Sequence, residues 1–360
     1  MNIAIYVPDL FPNDATANYA RAQGSMLESF GHKVTLLAER QYVDEVQVVK
    51  NIEEVDDSFA HNNLLIYHYG IKSQSAQRLS SMDFKRKKLY FHNITDPNLY
   101  EGDPLEVVLK ESWEQLFTIA NRFDDFFANS SFTIEEFKQK SSYRFNFKWI
   151  VLPPRIECFS RDNRSTSKSF FEKKKQICMV GRIVRHKNTN IAIKVFEELS
   201  LIDPNISLLI IGKGKGEYYE HIKASSYRQA NIKILSDISD EERNCIVSSS
   251  IASFNLSSHE GFCLPVYESM RQDTIPFYGS SQWLHDWIDE DKIRIGMSND
   301  FVRDAHKIAN VVNSPNLFRN IIDSINKKLG QIDQICAPSH QYNQLIASHS
   351  FTDESLDYFT

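Results

Sequence analysis

The residues best suited to chemistry lie in one segment, Ser258–Glu268, which reads SHEGFCLPVYE. It directly follows an apolar run, Ile251–Asn255, that is typical of a buried strand. Pro265 suits the start of a helix, because its missing N–H would have no partner there in any case. The loop Gly261–Leu264 would then expose backbone N–H groups at a helix N-terminus. Such an arrangement predicts a site for an anion.

Two carboxylates accompany this predicted anion site. Glu260 lies on the loop, and we expect Glu268 in the first turn of the helix. Negative charges beside an anion are unfavourable unless they have another task, and accepting hydrogen bonds from sugar hydroxyl groups would be such a task. The alternative is a buried loop in which a glutamate caps the helix.

A second segment, Val180–Asn188, reads VGRIVRHKN and also lies between a predicted strand and a predicted helix. Gly181 permits a close approach of the backbone to a ligand. Arg182 and Lys187 could clamp a diphosphate, whose negative charge needs neutralising. The alternative is an ordinary basic surface loop.

Together the two segments resemble the motifs of glycosyltransferase family 4, written as a glycine-Arg-x(n)-Lys-Asn loop and E-G-F-x-L-P-x-x-E. Four further matches occur in the expected order: Tyr90–Pro97 (YFHNITDP), Asn129–Ser131 (NSS), Leu152–Pro154 (LPP) and Ile211–Gly214 (IGKG). The resemblance covers about residues 1–300. It implies the GT-B fold, in which two Rossmann-like, doubly wound α/β domains face a cleft.

The resemblance also implies roles for single residues. Arg182 and Lys187 would bind the pyrophosphate of a nucleotide-sugar donor, and Glu268 its ribose hydroxyl groups. Glu260 and His92 would be catalytic, with Glu260 holding the transferred sugar and His92 facing it from the N-terminal domain. A single histidine on a strand is otherwise more often structural. The donor-binding residues are then Gly181, Arg182, Lys187, Gly261, Phe262, Cys263, Leu264 and Glu268.

The implied activity is the transfer of a hexose, with retention of configuration and without a metal or other cofactor. The donor would be GDP-mannose or a UDP-sugar, and the acceptor a growing bacterial surface polysaccharide or lipid-linked glycan. Contact with a membrane surface or with other polysaccharide-assembly enzymes is compatible with this function. Two alternatives stay open: a catalytically silent partner subunit with this fold, and a nucleotide-sugar epimerase.

Strands and helices alternate in both halves of the chain, which predicts parallel sheets covered by helices. The predicted strands of the first half are Asn2–Val7, Lys33–Ala38, Leu64–Tyr69, Lys88–His92, Phe126–Ala128 and Lys148–Leu152. Those of the second half are Ile177–Val180, Ser207–Ile211, Ile232–Leu235, Ile251–Asn255, Ile275–Tyr278 and Ile293–Ile295. The predicted helices are Ala15–Phe30, Leu105–Arg122, Asn188–Leu199, Gly216–Arg228, Asp240–Ser249, Pro265–Arg271 and Asp300–Val312.

The chain length of 360 residues favours two domains. We expect an acceptor-binding domain over residues 1–160 and a donor-binding domain over residues 176–337, joined by a polar, charged connection at Ser160–Lys175. In such sheets ligands bind outside the carboxyl ends of the strands, where both motifs fall. Residues 338–360 remain as a C-terminal tail that could pack back on the N-terminal domain.

Composition narrows the function classes. The net charge of −6 disfavours a nucleic-acid partner. Five scattered cysteines without metal-ligand spacing indicate reduced thiols and a cytoplasmic protein. The first residues read as a strand rather than a signal peptide, and no apolar stretch reaches the length of a membrane span.

Three other patterns are given less weight. Asp289-Glu290-Asp291 has the D-x-D form of metal-dependent transferases but is interpreted as a solvated acidic face. Gly212-x-Gly214 lacks the spacing of a dinucleotide-binding loop. The basic run Lys85–Lys88 is interpreted as a solvated turn, and contact with anionic lipid is its alternative.

Overall fold

The structure is a computed structural model that describes residues 1–11, 14–41, 49–154, 169–279, 284, 291–296 and 298–346. The chain divides into two compact units. Unit 1 comprises Met1–Cys158 and Asp333–Thr360, and unit 2 comprises Phe159–Ile332. Each unit is built on a parallel sheet with helices, so the predicted α/β class is confirmed.

The described strands of unit 1 form a seven-stranded parallel sheet in the order β5-β3-β1-β6-β7-β8-β9. Their bounds are β1 Asn2–Tyr6, β2 Asp9–Leu10, β3 Lys33–Ala38, β4 Arg40–Gln41, β5 Val49–Asn51, β6 Leu64–Tyr69, β7 Arg86–Phe91, β8 Asp125–Ala128 and β9 Trp149–Val151. The short strands β2 and β4 pair separately from this sheet. The central strands are buried on both faces, since alternate residues of β1 enter two different hydrophobic cores: Ile3 and Ile5 one of them, Ala4 and Tyr6 the other.

Helices connect these strands: α1 Ala15–Ser29, α2 Asp57–Asn62, α3 Ala76–Ser81, α4 Pro104–Ile119 and α5 Ser131–Lys140. Polar residues before them set their starts. The side chain of Asp14 accepts a hydrogen bond from the backbone N–H of Ala17 at 2.9 Å, and Ser130 accepts one from Thr133 at 3.2 Å. Such caps satisfy backbone donors that the helix itself cannot.

Unit 2 repeats the plan with a five-stranded parallel sheet in the order β12-β11-β10-β13-β14. Its strands are β10 Lys174–Val180, β11 Ser207–Ile211, β12 Ile232–Leu235, β13 Ser250–Asn255 and β14 Ile275–Tyr278. Its helices are α6 Thr189–Ile202, α7 Gly216–Tyr227, α8 Asp240–Ser249, α9 Leu264–Arg271, α10 Phe301–Val312 and α11 Pro315–Ile335, the last of which ends in residues of unit 1.

The C-terminal helix α12 (Pro338–Ile346) packs against α1 within unit 1. The ring of Tyr342 stacks on Phe30 at 4.3 Å between centroids and hydrogen bonds to His32 at 3.2 Å. Leu345 is fully buried in the core that also holds Ile3 and Ile5. Residues 347–360 of the predicted tail lie outside the described residues.

One of the predicted strands is wrong. Ile293–Ile295 is not a strand, because a 3₁₀-helix ends at Ile293 and Gly296 takes a positive φ of 75°, which leaves only an isolated bridge at Arg294. Helices α2, α3, α5, α11 and α12 were not predicted. In α5 a run of polar residues hides the apolar face formed by Ile134 and Phe137.

The basic run is not a solvated turn. Arg86 and Lys88 both pair with Asp125, at 2.6 and 2.7 Å, and the Lys88 side chain has no exposed surface. Lys87 donates to the carbonyl oxygen of Ser80 at 2.9 Å. The ion pairs with Asp125 hold the start of β7 against β8, so these positive charges stabilise the sheet. Within the described part of the chain, no helix combines the length and the apolar character that crossing a membrane requires.

Candidate functional site

Both predicted motifs lie where the strand order of unit 2 changes direction. Strands β10 and β13 are parallel neighbours, and the chain leads outward from them in opposite directions, to β11 and β12 on one side and to β14 on the other. The segment Gly181–Asn188 follows β10, and the segment Leu256–Cys263 follows β13. Carboxyl ends of parallel strands at such a point form the usual ligand crevice of an open α/β sheet.

Glycines allow the first loop to lie directly on the loop after β11. A Cβ atom added to Gly212 would lie 1.8 Å from the backbone oxygen of Gly181, a separation that atoms cannot adopt. Gly181 itself has a φ of +145°, which side chains rarely permit. The backbone N–H of Ile183 donates to Lys213 at 2.8 Å and closes this contact. The glycines therefore have a packing role that their spacing alone does not reveal.

Hydrogen bonds join the two motif loops to each other. The carbonyl oxygen of His186 accepts from the backbone N–H of Ser258 at 2.8 Å and from its hydroxyl group at 3.2 Å. The side chain of Asn188 donates to the carbonyl oxygen of Leu256 at 2.8 Å. Two segments about 70 residues apart in sequence thus form one surface.

An ion pair between Lys187 and Glu260 connects the two motifs at their charged residues. Their side chains are only 16% and 17% exposed. Burial by itself would raise the pKa of Glu260, but the ammonium group of Lys187 outweighs it and holds that pKa below its ordinary value. Burial likewise acts to lower the pKa of Lys187, and Glu260 keeps it raised. Both groups are therefore charged around neutral pH.

Two helices begin beside this pair without a side-chain cap. Asn188 precedes α6 and Cys263 precedes α9, and both take left-handed backbone conformations with φ of 55° and 62°. Neither side chain accepts a hydrogen bond from its own helix. Uncapped helix starts carry partial positive charge and backbone donors, the combination that attracts phosphate groups.

Glu268 lies one turn further along α9 than expected. The helix begins at Leu264, so the first turn contains no acidic residue and Glu268 is in the second turn. Its carboxylate lies 4.0 Å from the guanidinium group of Arg243 on α8. Burial raises the pKa of Glu268 despite this partner. Arg243 was missed, because nothing in the sequence DEERN distinguishes it from a surface arginine.

The remaining predicted donor-binding residues also lie on these loops. Arg182 is exposed, Gly261 and Leu264 are half-buried, and Phe262 and Cys263 are buried. Burial raises the pKa of the Cys263 thiol, so it is protonated at neutral pH. The structure thus places every candidate residue of the second half on these loops or on the helix that follows them, and their roles stay predictions.

His92 belongs to unit 1, directly after β7. Its Nε2 lies 2.8 Å from Nδ1 of His68, a fully buried residue on β6. Tyr19 and Tyr90 also pack around His92, with ring centroids 5.7 and 4.6 Å away. Burial lowers the pKa of His92 to about 3, so its imidazole is neutral over the physiological range.

Asn129 and Asn93 support the same corner of unit 1. Asn129 donates to the carbonyl oxygen of His92 at 2.9 Å and accepts from Thr133 at 2.7 Å, so the NSS motif fixes the backbone at the histidine. Asn93 has a φ of 87°, and both polar atoms of its buried amide lack a partner among the described residues. Strain and an unsatisfied amide at one position are typical of functional sites.

The rejected acidic pattern falls mainly on Asp289 and Glu290, which lie outside the described residues. Asp291 pairs at 3.6 Å with Arg294. In the parts of the chain that the structure describes, no three His, Cys, Asp or Glu side chains group in a way that could hold a metal ion. Independence from metal stays a prediction.

Comparison with known proteins supports the fold and the class. Residues 160–324 match the family described as glycosyl transferases group 1, which is most of unit 2 but less than half of the chain. No curated protein sequence matches the chain.

Several solved structures resemble the chain over most of its length. WaaG, described as a glycosyltransferase involved in lipopolysaccharide biosynthesis, has a TM-score of 0.67 at 12% identity, over 96% of this chain and 99% of WaaG. HepE of Anabaena, solved with UDP and glucose, has a TM-score of 0.71 at 12% identity, over 96% and 98%. TarM of S. aureus has a TM-score of 0.63 at 14% identity over 82% of this chain, which spans 56% of TarM.

Identities this low show the fold alone. The predicted GT-B class is confirmed, and the chain carries a match to group 1 glycosyl transferases. The finer assignment to family 4, and the roles of single motif residues, stay predictions.

Proposed function

We propose that this protein is a retaining glycosyltransferase that moves a hexose from a nucleotide diphosphate sugar to a glycan acceptor. The observation that carries the proposal is the joined pair of loops in unit 2, where Lys187 and Glu260 meet beside two uncapped helix starts. This surface supplies positive charge, backbone donors and a carboxylate within one crevice. A diphosphate attached to a sugar needs all three.

The diphosphate would occupy the positive part of this surface. Arg182 and Lys187 would neutralise its oxygens together with the backbone N–H groups around Gly261 and Leu264. When the bond to the sugar breaks, charge develops on the leaving phosphate. Fixed positive groups already directed at that position stabilise it without rearrangement and can replace a metal ion in this task.

Glu260 would change partner when the donor binds. In the structure its carboxylate pairs with Lys187. A diphosphate carries more charge than one carboxylate and competes for the lysine. Glu260 could then accept hydrogen bonds from the sugar hydroxyl groups, while Glu268 accepts those of the ribose. The resting ion pair therefore keeps both side chains ordered before the donor arrives.

His92 would act in the same reaction from unit 1. Its neutral imidazole can accept or donate a hydrogen bond to a hydroxyl group without adding charge. Retention would follow from departure of the phosphate and entry of the acceptor on the same face of the sugar. We infer no covalent intermediate. Among the described candidate residues, the two loops present only the carboxylates of Glu260 and Glu268, and both are assigned above to hydroxyl groups of the donor.

The donor and acceptor are proposed by analogy. HepE was solved with UDP and glucose, and TarM with UDP, which makes UDP-sugars the first donors to test ahead of GDP-mannose. WaaG acts in lipopolysaccharide biosynthesis, which agrees with a surface polysaccharide or lipid-linked glycan as acceptor. Such an acceptor would place the protein in the cytoplasm, in peripheral contact with the membrane or with other assembly enzymes.

The test measures nucleotide binding and sugar transfer on matched variants. Calorimetry with UDP, GDP and their sugars identifies the donor. Lys187→Met should weaken both the nucleotide and the nucleotide sugar by roughly tenfold to 150-fold, because one charge-assisted contact is lost. Lys233→Met, which removes an exposed lysine on β12, is the matched control and should change neither.

Glu260→Gln should leave nucleotide binding intact or tighter, because Lys187 no longer has a competing partner. Transfer should still fall about 100-fold, since loss of one preorganised contact near the reacting centre has such effects. Activity in the presence of a chelator tests metal independence. If nucleotide binds but no sugar turns over, the silent-subunit alternative gains support, and turnover of the donor without acceptor would favour the epimerase.

A further inference from the structure

A chain of polar side chains connects the C-terminal helix α12 to His92 within unit 1. In order, its members are Gln341, Tyr19, Gln23, His68 and His92. All but His92 are at least 97% buried. Buried polar groups outside water must satisfy one another, so the direction of each hydrogen bond in such a chain depends on its neighbours.

The donor-to-acceptor direction of these hydrogen bonds is fixed at Gln341, the member farthest from His92. The amide nitrogen Nε2 of Gln341 lies 2.6 Å from the carbonyl oxygen of Pro153. A carbonyl oxygen can only accept, so Gln341 must donate there and its Oε1 must face the other way as an acceptor. Tyr19 lies on that side, 3.3 Å away, and its hydroxyl group donates to Oε1. The same hydroxyl group also hydrogen bonds to Tyr90, but Tyr90 donates its own proton to the carbonyl oxygen of Leu152, so Tyr19 is a donor there as well, through the same proton.

Tyr19 and Gln23, in the middle of this series of hydrogen bonds, keep the same donor-to-acceptor direction. Having donated to Gln341, the hydroxyl oxygen of Tyr19 accepts from Nε2 of Gln23 at 3.4 Å. The Oε1 atom of Gln23 therefore faces His68, whose Nε2 lies 3.1 Å away. An amide oxygen accepts, so His68 carries its proton on Nε2.

The contact between His68 and His92 fixes the tautomer of His92. A neutral imidazole has one N–H donor and one acceptor nitrogen. His68 donates through Nε2, so its Nδ1 is the acceptor and the contact with Nε2 of His92 at 2.8 Å requires His92 to donate. His92 then carries its proton on Nε2, and the lone pair remains on Nδ1. No donor from the described residues contacts that atom.

We propose that Gln341, Tyr19, Gln23 and His68 are positioning residues that lock His92 in one tautomer, with Nδ1 as a permanent hydrogen-bond acceptor. A ligand hydroxyl group, which can donate, fits this atom, whereas a phosphate oxygen, which only accepts, does not. The catalytic meaning of the lock rests on the function proposed above, but the tautomer itself does not. The chain positions rather than conducts protons, because the amide of Gln23 interrupts any relay.

The experiment reads the tautomer directly by NMR of the full chain labelled with ¹⁵N-histidine, without any donor. A His92→Gln variant assigns the His92 signals among the 11 histidines. The wild-type protein should show His92 protonated on Nε2 and unprotonated on Nδ1. A proton on Nδ1 in the wild-type spectrum overturns the proposal, whatever the variants do.

Two variants test the chain. Gln23→Met removes the acceptor for His68 with little change in volume, so His92 should become a mixture of tautomers. Tyr19→Phe breaks the link to α12 and should give a smaller change in the same direction. Gln74→Met replaces an exposed glutamine of unit 1 and serves as the control. An unchanged His92 spectrum in Gln23→Met contradicts the lock.

Once an acceptor and donor are known, Gln23→Met should lower kcat/KM roughly two- to tenfold, the worth of one buried hydrogen bond. If the spectra change as expected and transfer is unaffected, the tautomer lock stands and the assigned role of His92 is wrong. If neither changes, the lock is wrong while the function of unit 2 remains untouched.

Discussion

The loops of unit 2 and the histidine corner of unit 1 solve the same problem, the presentation of polar groups at strand ends, with opposite chemistry. In unit 2 the side chains are charged, and an ion pair between Lys187 and Glu260 satisfies them. In unit 1 they are neutral, and hydrogen bonds among His92, His68 and Gln23 satisfy them. Burial keeps both histidines uncharged, since it lowers their pKa values.

Under the proposed function, the difference would correspond to the two parts of a nucleotide sugar. A diphosphate is bound through opposite charge, which an ion pair can release to it. The neutral sugar would be bound through directed hydrogen bonds, from the neutral imidazole of His92 and from the carboxylate of Glu260 once the diphosphate has taken its place at Lys187. Different substitutions and different pH changes should therefore affect the two regions.

The largest effect is expected from the glycine contact of unit 2. Gly212→Ala would force a Cβ atom to within 1.8 Å of the Gly181 backbone oxygen, so the loop after β10 must move. We expect unit 2 to lose about 4 kcal/mol or more of its free energy of unfolding, in the upper range of single substitutions. Gly330→Ala is the control. It meets no atom within 4 Å on α11 and should stabilise by roughly 0.5–1 kcal/mol, measured by denaturant unfolding.

Breaking the ion pair between Lys187 and Glu260 should have the next largest effect on stability. Lys187→Met leaves the carboxylate of Glu260 buried without its partner and should cost about 3–5 kcal/mol in unfolding free energy. Adding Glu260→Gln to the same chain should restore most of it, because the uncompensated charge is then gone. If the double variant is as unstable as the sum of the single variants, the two side chains are not coupled and the pairing of the motifs is wrong.

Acid should affect His92 of unit 1 at a higher pH than it affects the Lys187–Glu260 pair of unit 2. Neutral, buried His92 stabilises the fold fully above its ordinary pKa of 6.5, and that stability is lost as the pH falls from 6.5 towards its folded value of about 3. At pH 5 the loss is roughly 2 kcal/mol for such a histidine. The contribution of Glu260 is lost only below its ordinary value of 4.5.

His92→Gln should therefore flatten the dependence of melting temperature on pH between 7 and 5. His61→Gln, at a histidine whose side chain is 76% exposed, is the control and should leave the profile unchanged. Equal slopes for wild type and His92→Gln would contradict the burial of a neutral histidine.

The smallest effect concerns Asn93. Asn93→Gly relieves the strain of a side chain at a φ of 87° and removes a buried amide without partners. The unfolding free energy should therefore rise by about 1 kcal/mol. Asn93→Ala keeps the backbone strain and should gain less. If Asn93 contacts the sugar or acceptor, both variants should lose transfer activity. A loss of stability in Asn93→Gly would mean that the amide is satisfied in solution.

Local pattern predicted most of the fold. Five strands have the predicted bounds, among them Lys33–Ala38 and Ser207–Ile211, because their apolar runs end abruptly at polar residues. Helix α5 was missed, since a helix with a narrow apolar face has little periodic signal. Ile293–Ile295 was predicted as a strand because β-branched residues favour one, but only one of its residues found a partner.

The sequence places Gly181–Lys187 and Glu260–Glu268 directly after strands, because strand, loop and helix signals are local. It did not determine that Lys187 pairs with Glu260, that Gly212 packs on Gly181, or that Gln341 reaches His92 through Tyr19. Those contacts join residues that are far apart along the chain. Sheet order, close backbone approach and the burial of polar groups decide them, and these exist only once the tertiary structure has formed.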